Sequence, residues 1–207
     1  MRELAIECAT EACSIALSED GQLIGHSHEI LGRGHAERLV PAISDLPGRG
    51  RAHKIRVSLG PGSFTGVRIG LAVARALGLA WQADVTGYPT LALVAAMAQS
   101  GYPGQPVTVC MTGGHGEWFV QNFDGDGLPE GPVRSRTPES AIAENCHPFI
   151  AGSRSREMLA LIGDGAASFD CLPDARHAFT ISPTLSTSDL SPIYGRAPDA
   201  RLPGVGT

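Results

Sequence analysis

The sequence predicts an α/β fold of two related units, and three observations carry that expectation. Residues 1–99 run strand, strand, strand, helix, strand, glycine-rich turn, helix, short strand, helix. Residues 107–162 repeat a shortened form of the order, strands first and helices after. Between them, residues 100–106 are polar and rich in Gly and Pro, the composition of a boundary. The expected division is a first unit over 1–102, a smaller, degraded second unit over 103–197, and an exposed tail over 198–207.

Each element has a local reason. Residues 4–7 are a short buried strand, and 13–17 alternate apolar with small or polar residues, as a strand with one covered face does. Asp20-Gly21 is a hairpin turn, so 22–30 return as a third antiparallel strand. Leu39, Ala42, Ile43 and Leu46 recur at helical spacing over 35–46, with Pro41 near an end or at a kink. Residues 55–59 form a fourth strand. The run 67–81 is a long helix with Leu71, Ala74 and Leu77 on one stripe and small residues at Gly66, Gly70 and Gly78. A short strand ends at 86–89, and Thr90 can cap a helix reaching about residue 99. In the second half, 107–111 and 118–123 alternate as strands, and 124–127 turn. Pro138 opens a helix, 148–151 form a short strand, and 154–162 a helix that stops at Gly163. Residues 164–207 show weak periodicity.

Composition bounds the function. The chain has 207 residues, 43% hydrophobic and 18% charged, so it is globular and long enough to bury a core without disulfides or metals. The net charge of −5 lies wholly in the second half: residues 1–100 carry nine basic and nine acidic side chains, residues 101–207 seven and twelve. That is no footprint of a protein that grips nucleic acid by itself. The one basic cluster, Arg49, Arg51, His53, Lys54 and Arg56, reads as a solvated loop and strand edge. Cysteines at 8, 13, 110, 146 and 171 include no Cys-x-x-Cys pair and fit buried free thiols in a reducing compartment. The N-terminus lacks the apolar run of a signal peptide, and Arg68 and Arg75 interrupt the apolar stretch around 67–81. No membrane span is expected, and a cytoplasmic location is.

The stretch Gly60-Pro61-Gly62-Ser63-Phe64-Thr65-Gly66 is the most informative of the chain. It is not a P-loop, since no Lys follows Gly66. It is not a dinucleotide fingerprint, since Thr65 holds the third glycine position. It is not a nucleophile elbow, since Pro61 stands where Gly is required. Two readings stay open: a structural turn between strand and helix, or an anion cradle using the helix start with Arg68 one turn in. Nucleotide chemistry would want an acidic residue at the end of the first strand beside a Thr-containing turn, which Glu7 and Thr10 approximate; a solvated hairpin turn is the plain alternative. No Cys/His set has ligand spacing, so no metal is expected. His35 opens a helix, where a helix-start hydrogen bond or a partner-facing role would suit it.

Taken together, residues 5–17, the helix around His35, Arg38, Leu39, Val40 and Pro41, the turn and helix start from Gly60 to Gly70, and Pro192-Ile193-Tyr194-Gly195-Arg196 resemble the TsaB family. The match is strong over about 1–95 and patchy beyond. The resemblance implies an actin/hexokinase/Hsp70-like (RNase H-like) fold of duplicated units. It implies bacterial synthesis of threonylcarbamoyladenosine in tRNA, in which TsaB is a non-catalytic relative and partner of the catalytic TsaD, with the ATPase TsaE joining them. ATP and metal are then expected on the partners, with no cofactor on this chain alone and tRNA met only through the complex. Two departures matter: Glu7 replaces the usual Asp, and Thr112 and Gly114 stand where an Asp-Ala-Arg run is common. The partner is expected to dock on the helices 35–46 and 66–81 through His35, Leu39, Ile43, Gly70, Leu71, Ala74 and Leu77, a surface that would pair with a second copy when the partner is absent. The rivals are an ATP-dependent kinase or transferase of the same fold and, last, an M22-like peptidase.

Overall fold

The structure is a computed structural model that describes residues 1–143, 145–163 and 165–195. Arg196 of the closing motif and the expected tail at 198–207 lie outside the described residues. The first sheet begins with a meander of β1 (Arg2–Glu7), β2 (Ala12–Glu19) and β3 (Gln22–Ile30), turned at Asp20-Gly21. Helix α1 (His35–Asp45) follows, then β4 (Lys54–Ser58), α2 (Phe64–Trp81), β5 (Asp84–Tyr88) and α3 (Thr90–Gly101). Strand order is β3-β2-β1-β4-β5, with β4 and β5 parallel to β1.

The second sheet repeats this plan. Strands β6 (Val107–Thr112), β7 (Trp118–Phe123) and β8 (Arg134–Arg136) form an antiparallel meander. Helix α4 (Pro138–Ile142) leads to β9 (Phe149–Ala151), which lies parallel to β6. Helix α5 (Ser155–Ile162) leads to β10 (Ala167–Phe169), parallel to β9. Read from its other edge, β10-β9-β6-β7-β8 is the first sheet's order again, five strands in each, so the second unit duplicates the first with shorter strands. Strands β8 and β10, three residues each, were not expected; unlike the equally short β9 they carry no buried apolar run, and three residues show no two-residue period.

Two cores flank the first sheet. On one face, α1 and α2 bury Leu39, Ile43, Val67, Leu71 and Ala74 against Leu4, Ile6, Ile15, Ile55 and Val57. On the other, α3 fills the space to the second sheet, where Leu91, Leu93 and Val94 meet Val107, Val109, Phe119 and Phe123. Helix α3 is apolar on nearly every face because both sheets cover it. Thr90 does not cap it. Its hydroxyl is 2.6 Å from that of Ser58, and Pro89 takes the cap position.

The chain then crosses back. A 3-10 turn, Ala175–Thr180, packs Ala175 and Ala178 into the shared core, and Thr187 exchanges backbone hydrogen bonds with Gly87. The Ile193 amide donates to the Leu59 carbonyl at 2.8 Å. Residues 187–195 thus strap the first sheet and end on the second, with Gly195 against the Phe119 ring.

Candidate functional site: the cleft at the glycine turn

The turn after β4 is seated by close backbone contact. Ser63 donates its amide to the Ala9 carbonyl at 2.6 Å, and Thr90 donates to the Gly60 carbonyl at 2.8 Å. A Cβ on Gly62 would run into the Ala9 carbonyl oxygen, and one on Gly66 into that of Cys8. The glycines therefore let the turn and the first turn of α2 lie flat on the end of β1. The peptide bond between Gly60 and Pro61 is cis. Ser63 caps α2, its hydroxyl accepting from the Gly66 amide at 3.2 Å.

Beside this turn opens a cleft of about 830 Å³ between the two sheets. Thr10, Glu11, Gly62, Ser63, Phe64 and Arg68 line it from the first unit, and Thr112, Gly113, Gly114, Phe119 and Ser153 from the second. Tyr194 of the strap closes one side. Its ring stacks on Phe64 with centroids 5.8 Å apart, and its hydroxyl accepts from Arg68 at 3.1 Å. The Arg68 guanidinium lies 3.5 Å over the Phe64 ring. Two groups of the anion-cradle reading are thus already engaged within the chain, the Gly66 amide by Ser63 and Arg68 by the two rings. Thr65 sits exposed in the first turn of α2.

The positions read as a degenerate nucleotide site divide. Thr10 and Thr112 reach the cleft from opposite sheets. Glu7 does not: it is fully buried beneath the floor, with Oε1 accepting from the Ala9 amide at 2.6 Å and Oε2 lacking a partner. Burial pushes its carboxyl from 4.5 up to about 7, against the opposing pull of the Ala9 amide. Thr10 is also occupied, accepting from the Ala12 amide at 3.2 Å.

Sequence reasoning missed the loop after β9. Ser153 accepts from the Thr112 amide at 3.1 Å, and Arg154 donates to the Thr112 hydroxyl at 3.1 Å. A guanidinium thus stands beside Thr112 although Gly114 supplies none; Arg154 also pairs with Glu157 at 2.6 Å. The signal was available in the duplication. Gly152-Ser153 follows β9 as Gly60 to Ser63 follow β4, each turn opening a helix. Among the described residues, no group of three or more His, Cys, Asp or Glu could hold a metal ion.

The expected partner residues need correction. His35, Leu39, Ile43, Gly70, Leu71 and Ala74 are buried within the chain, and Leu77 is half-buried. The reason is simple: an apolar stripe at helical spacing marks the face that the monomer's own sheet covers. His35 Nε2 lies 3.2 Å from the Ala12 carbonyl, so it ties the start of α1 to β2. The outward face of α2 instead carries Phe64, Ala72, Arg75, Ala76, Leu79 and Ala80. By length and composition α2 could cross a membrane, despite Arg68 and Arg75; here its inner face packs on the first sheet.

Comparison with known proteins agrees with this architecture. Residues 23–127 match the family model described as TsaD, tRNA N6-adenosine threonylcarbamoyltransferase. The tRNA threonylcarbamoyladenosine biosynthesis protein TsaB of Escherichia coli K12 is 30% identical over 99% of both chains. Its Haemophilus influenzae counterpart is 38% identical over 48% of this chain and 42% of its own. A Pseudomonas aeruginosa crystal structure, described as an uncharacterized protein with similarity to peptidase YeaZ, superimposes with a TM-score of 0.79. It is 25% identical and covers 94% of this chain and 99% of its own. The chain therefore belongs to the TsaB family, whose named members are tRNA threonylcarbamoyladenosine biosynthesis proteins.

Proposed function

We propose that this chain is a non-catalytic subunit of the cytoplasmic machinery that makes threonylcarbamoyladenosine in tRNA. It binds and supports a TsaD-like catalytic subunit, which a TsaE-like ATPase joins; tRNA, ATP and metal are met through those partners. The observation that carries this reading is the outer face of α2. Leu79 is 85% exposed, and Ala72, Ala76 and Ala80 are exposed at four-residue steps beside it. Steps of four form the ridge by which helices pack on one another, and small residues let the axes approach. An exposed apolar ridge on a helix whose other face is already packed seeks cover, from the partner or from a second copy.

The test follows from which face is free. Ala76→Glu and Leu79→Glu leave the inner core untouched, so each variant is expected to fold. Co-purification with the TsaD-like subunit is expected to disappear, and with it tRNA modification in a mixture with the TsaD-like and TsaE-like proteins. Undiminished co-purification of both variants overturns the interface.

A second reading, an ATP-dependent kinase or transferase, rests on the cleft volume and on Thr10, Thr112 and Ser153 at its walls. Burial of Glu7 and engagement of Arg68 count against it. Calorimetry with ATP and magnesium on the isolated chain is expected to show no binding; saturable heat would favour this reading.

A further inference from the structure

Cys8 and Cys13 face each other at the open end of the β1–β2 ladder. Glu7 pairs with Ser14, so the next residues outward stand opposite one another, on the side of the sheet that holds Ile6 and Ile15. Directly opposed residues of antiparallel strands have Cα atoms roughly 4.5–5.5 Å apart, within the span a disulfide bridges. The two Sγ atoms are 3.9 Å apart and share a hydrogen bond. Both thiols are free and buried, Cys8 against Gly66 and Gly70 at the start of α2 and Cys13 within reach of the Arg38 charge on α1.

We propose that Cys8 and Cys13 form a reversible oxidation site, converted by a hydroperoxide to an intramolecular disulfide and restored by small thiols. The modification does not depend on the partner reading above. The Cys13 sulfur attacks one peroxide oxygen, the O–O bond breaks, and the departing hydroxide takes a proton to leave as water. The Cys8 sulfur then attacks the Cys13 sulfenic sulfur and expels a second hydroxide, which leaves as water with the Cys8 proton. Two thiols and one hydrogen peroxide thus give one disulfide and two waters; sulfur is oxidised and peroxide reduced. Either sulfur can donate in the hydrogen bond between them. With Cys8 donating, the Cys13 thiol is lowered, assisted by the charge of Arg38, and Cys8 is pushed up, which makes Cys13 the attacking sulfur.

The bond would tighten the seat of the glycine turn. Closing the sulfurs from 3.9 Å to about 2.05 Å draws Cys8 toward β2. The Cys8 carbonyl abuts Gly66, and its Cβ lies 3.6 Å from where a Gly70 Cβ would stand. The helix that shifts in response is α2.

Treating the full chain with equimolar hydrogen peroxide, then unfolding, alkylating and mapping the peptides, tests the site. The expected product has lost about two mass units, keeps three of the five alkylatable thiols, and links Cys8 to Cys13. Dithiothreitol returns all five. Cys8→Ser and Cys13→Ser should each lose the linked product; if either fails to fold, the unmodified sequence alone decides. Full alkylation of Cys8 and Cys13 after peroxide overturns the proposal. So does a linkage between Cys110 and Cys146, which share the second sheet's outer core.

Discussion

Replacing Glu7 by Gln should make the fold's pH dependence disappear over one defined window. The carboxyl is fully buried, and burial raises its pKa from 4.5 to about 7. In the unfolded chain it returns to its ordinary value. Between pH 4.5 and 7 the native state therefore binds more protons than the unfolded state, so stability falls as pH rises and levels off above that window. At about 1.4 kcal/mol per pH unit, the loss comes to roughly 3 kcal/mol by pH 8. Glutamine keeps an acceptor for the Ala9 amide and cannot ionise. Its own packing cost is the same at every pH, so the quantity to follow is the difference between the two proteins. Urea unfolding at pH 4, 5, 6, 7 and 8 measures it. Relative to wild type, the variant should gain roughly 3 kcal/mol from pH 4 to 8, or about 6–12 °C in midpoint at this chain length. Parallel stability profiles would refute the argument and mean that Glu7 titrates in the fold as it does in the open chain.

Two smaller perturbations test the seat of the glycine turn and the strap. Gly66→Ala places a methyl group against the Cys8 carbonyl, which has no room to yield, and should cost about 1–3 kcal/mol or more in thermal unfolding; an unchanged midpoint would mean that the contact relaxes freely. Tyr194→Ala removes the stack on Phe64 and the bond from Arg68, both at the surface, so about 0.5–1.5 kcal/mol is expected. Its clearer signature is faster hydrogen exchange at the Ile193 amide, which the strap holds against Leu59.

Where periodicity was long, the sequence was legible. Strand β3 follows from Asp20-Gly21 and the helices α1 and α2 from their stripes, each within a few residues of its observed bounds. Asp124-Gly125-Asp126-Gly127 also turns as read, the Asp124 carboxylate accepting from the amides of Asp126 and Leu128. Strands β8 and β10 escaped, because their three residues are mostly polar or exposed and acquire strand geometry only by pairing with β7 and β9, whereas the equally short β9 is apolar and buried throughout. Of the site, the glycine turn and Thr10 and Thr112 were found. Ser153 and Phe119 on its walls, and Arg154 beside Thr112, were not, since nothing local to a Ser, an Arg or a strand Phe marks that position.

What the residues alone determine is the unit: a meander, a glycine turn that must lie flat, and helices with one face marked for burial. These are local consequences of spacing, turn chemistry and side-chain size. Which surface is left over is a tertiary decision. Leu39, Leu71 and Ala74 look like contacts for another chain until the first sheet is found covering them, and only then does the free face at Ala76 and Leu79 appear. The same holds for Glu7, whose carboxyl is an ordinary surface acid in sequence and a buried, proton-binding one in the fold. Burial depends on which segments pack against a residue, and here those segments lie as far away in the chain as Ser58 and Tyr88.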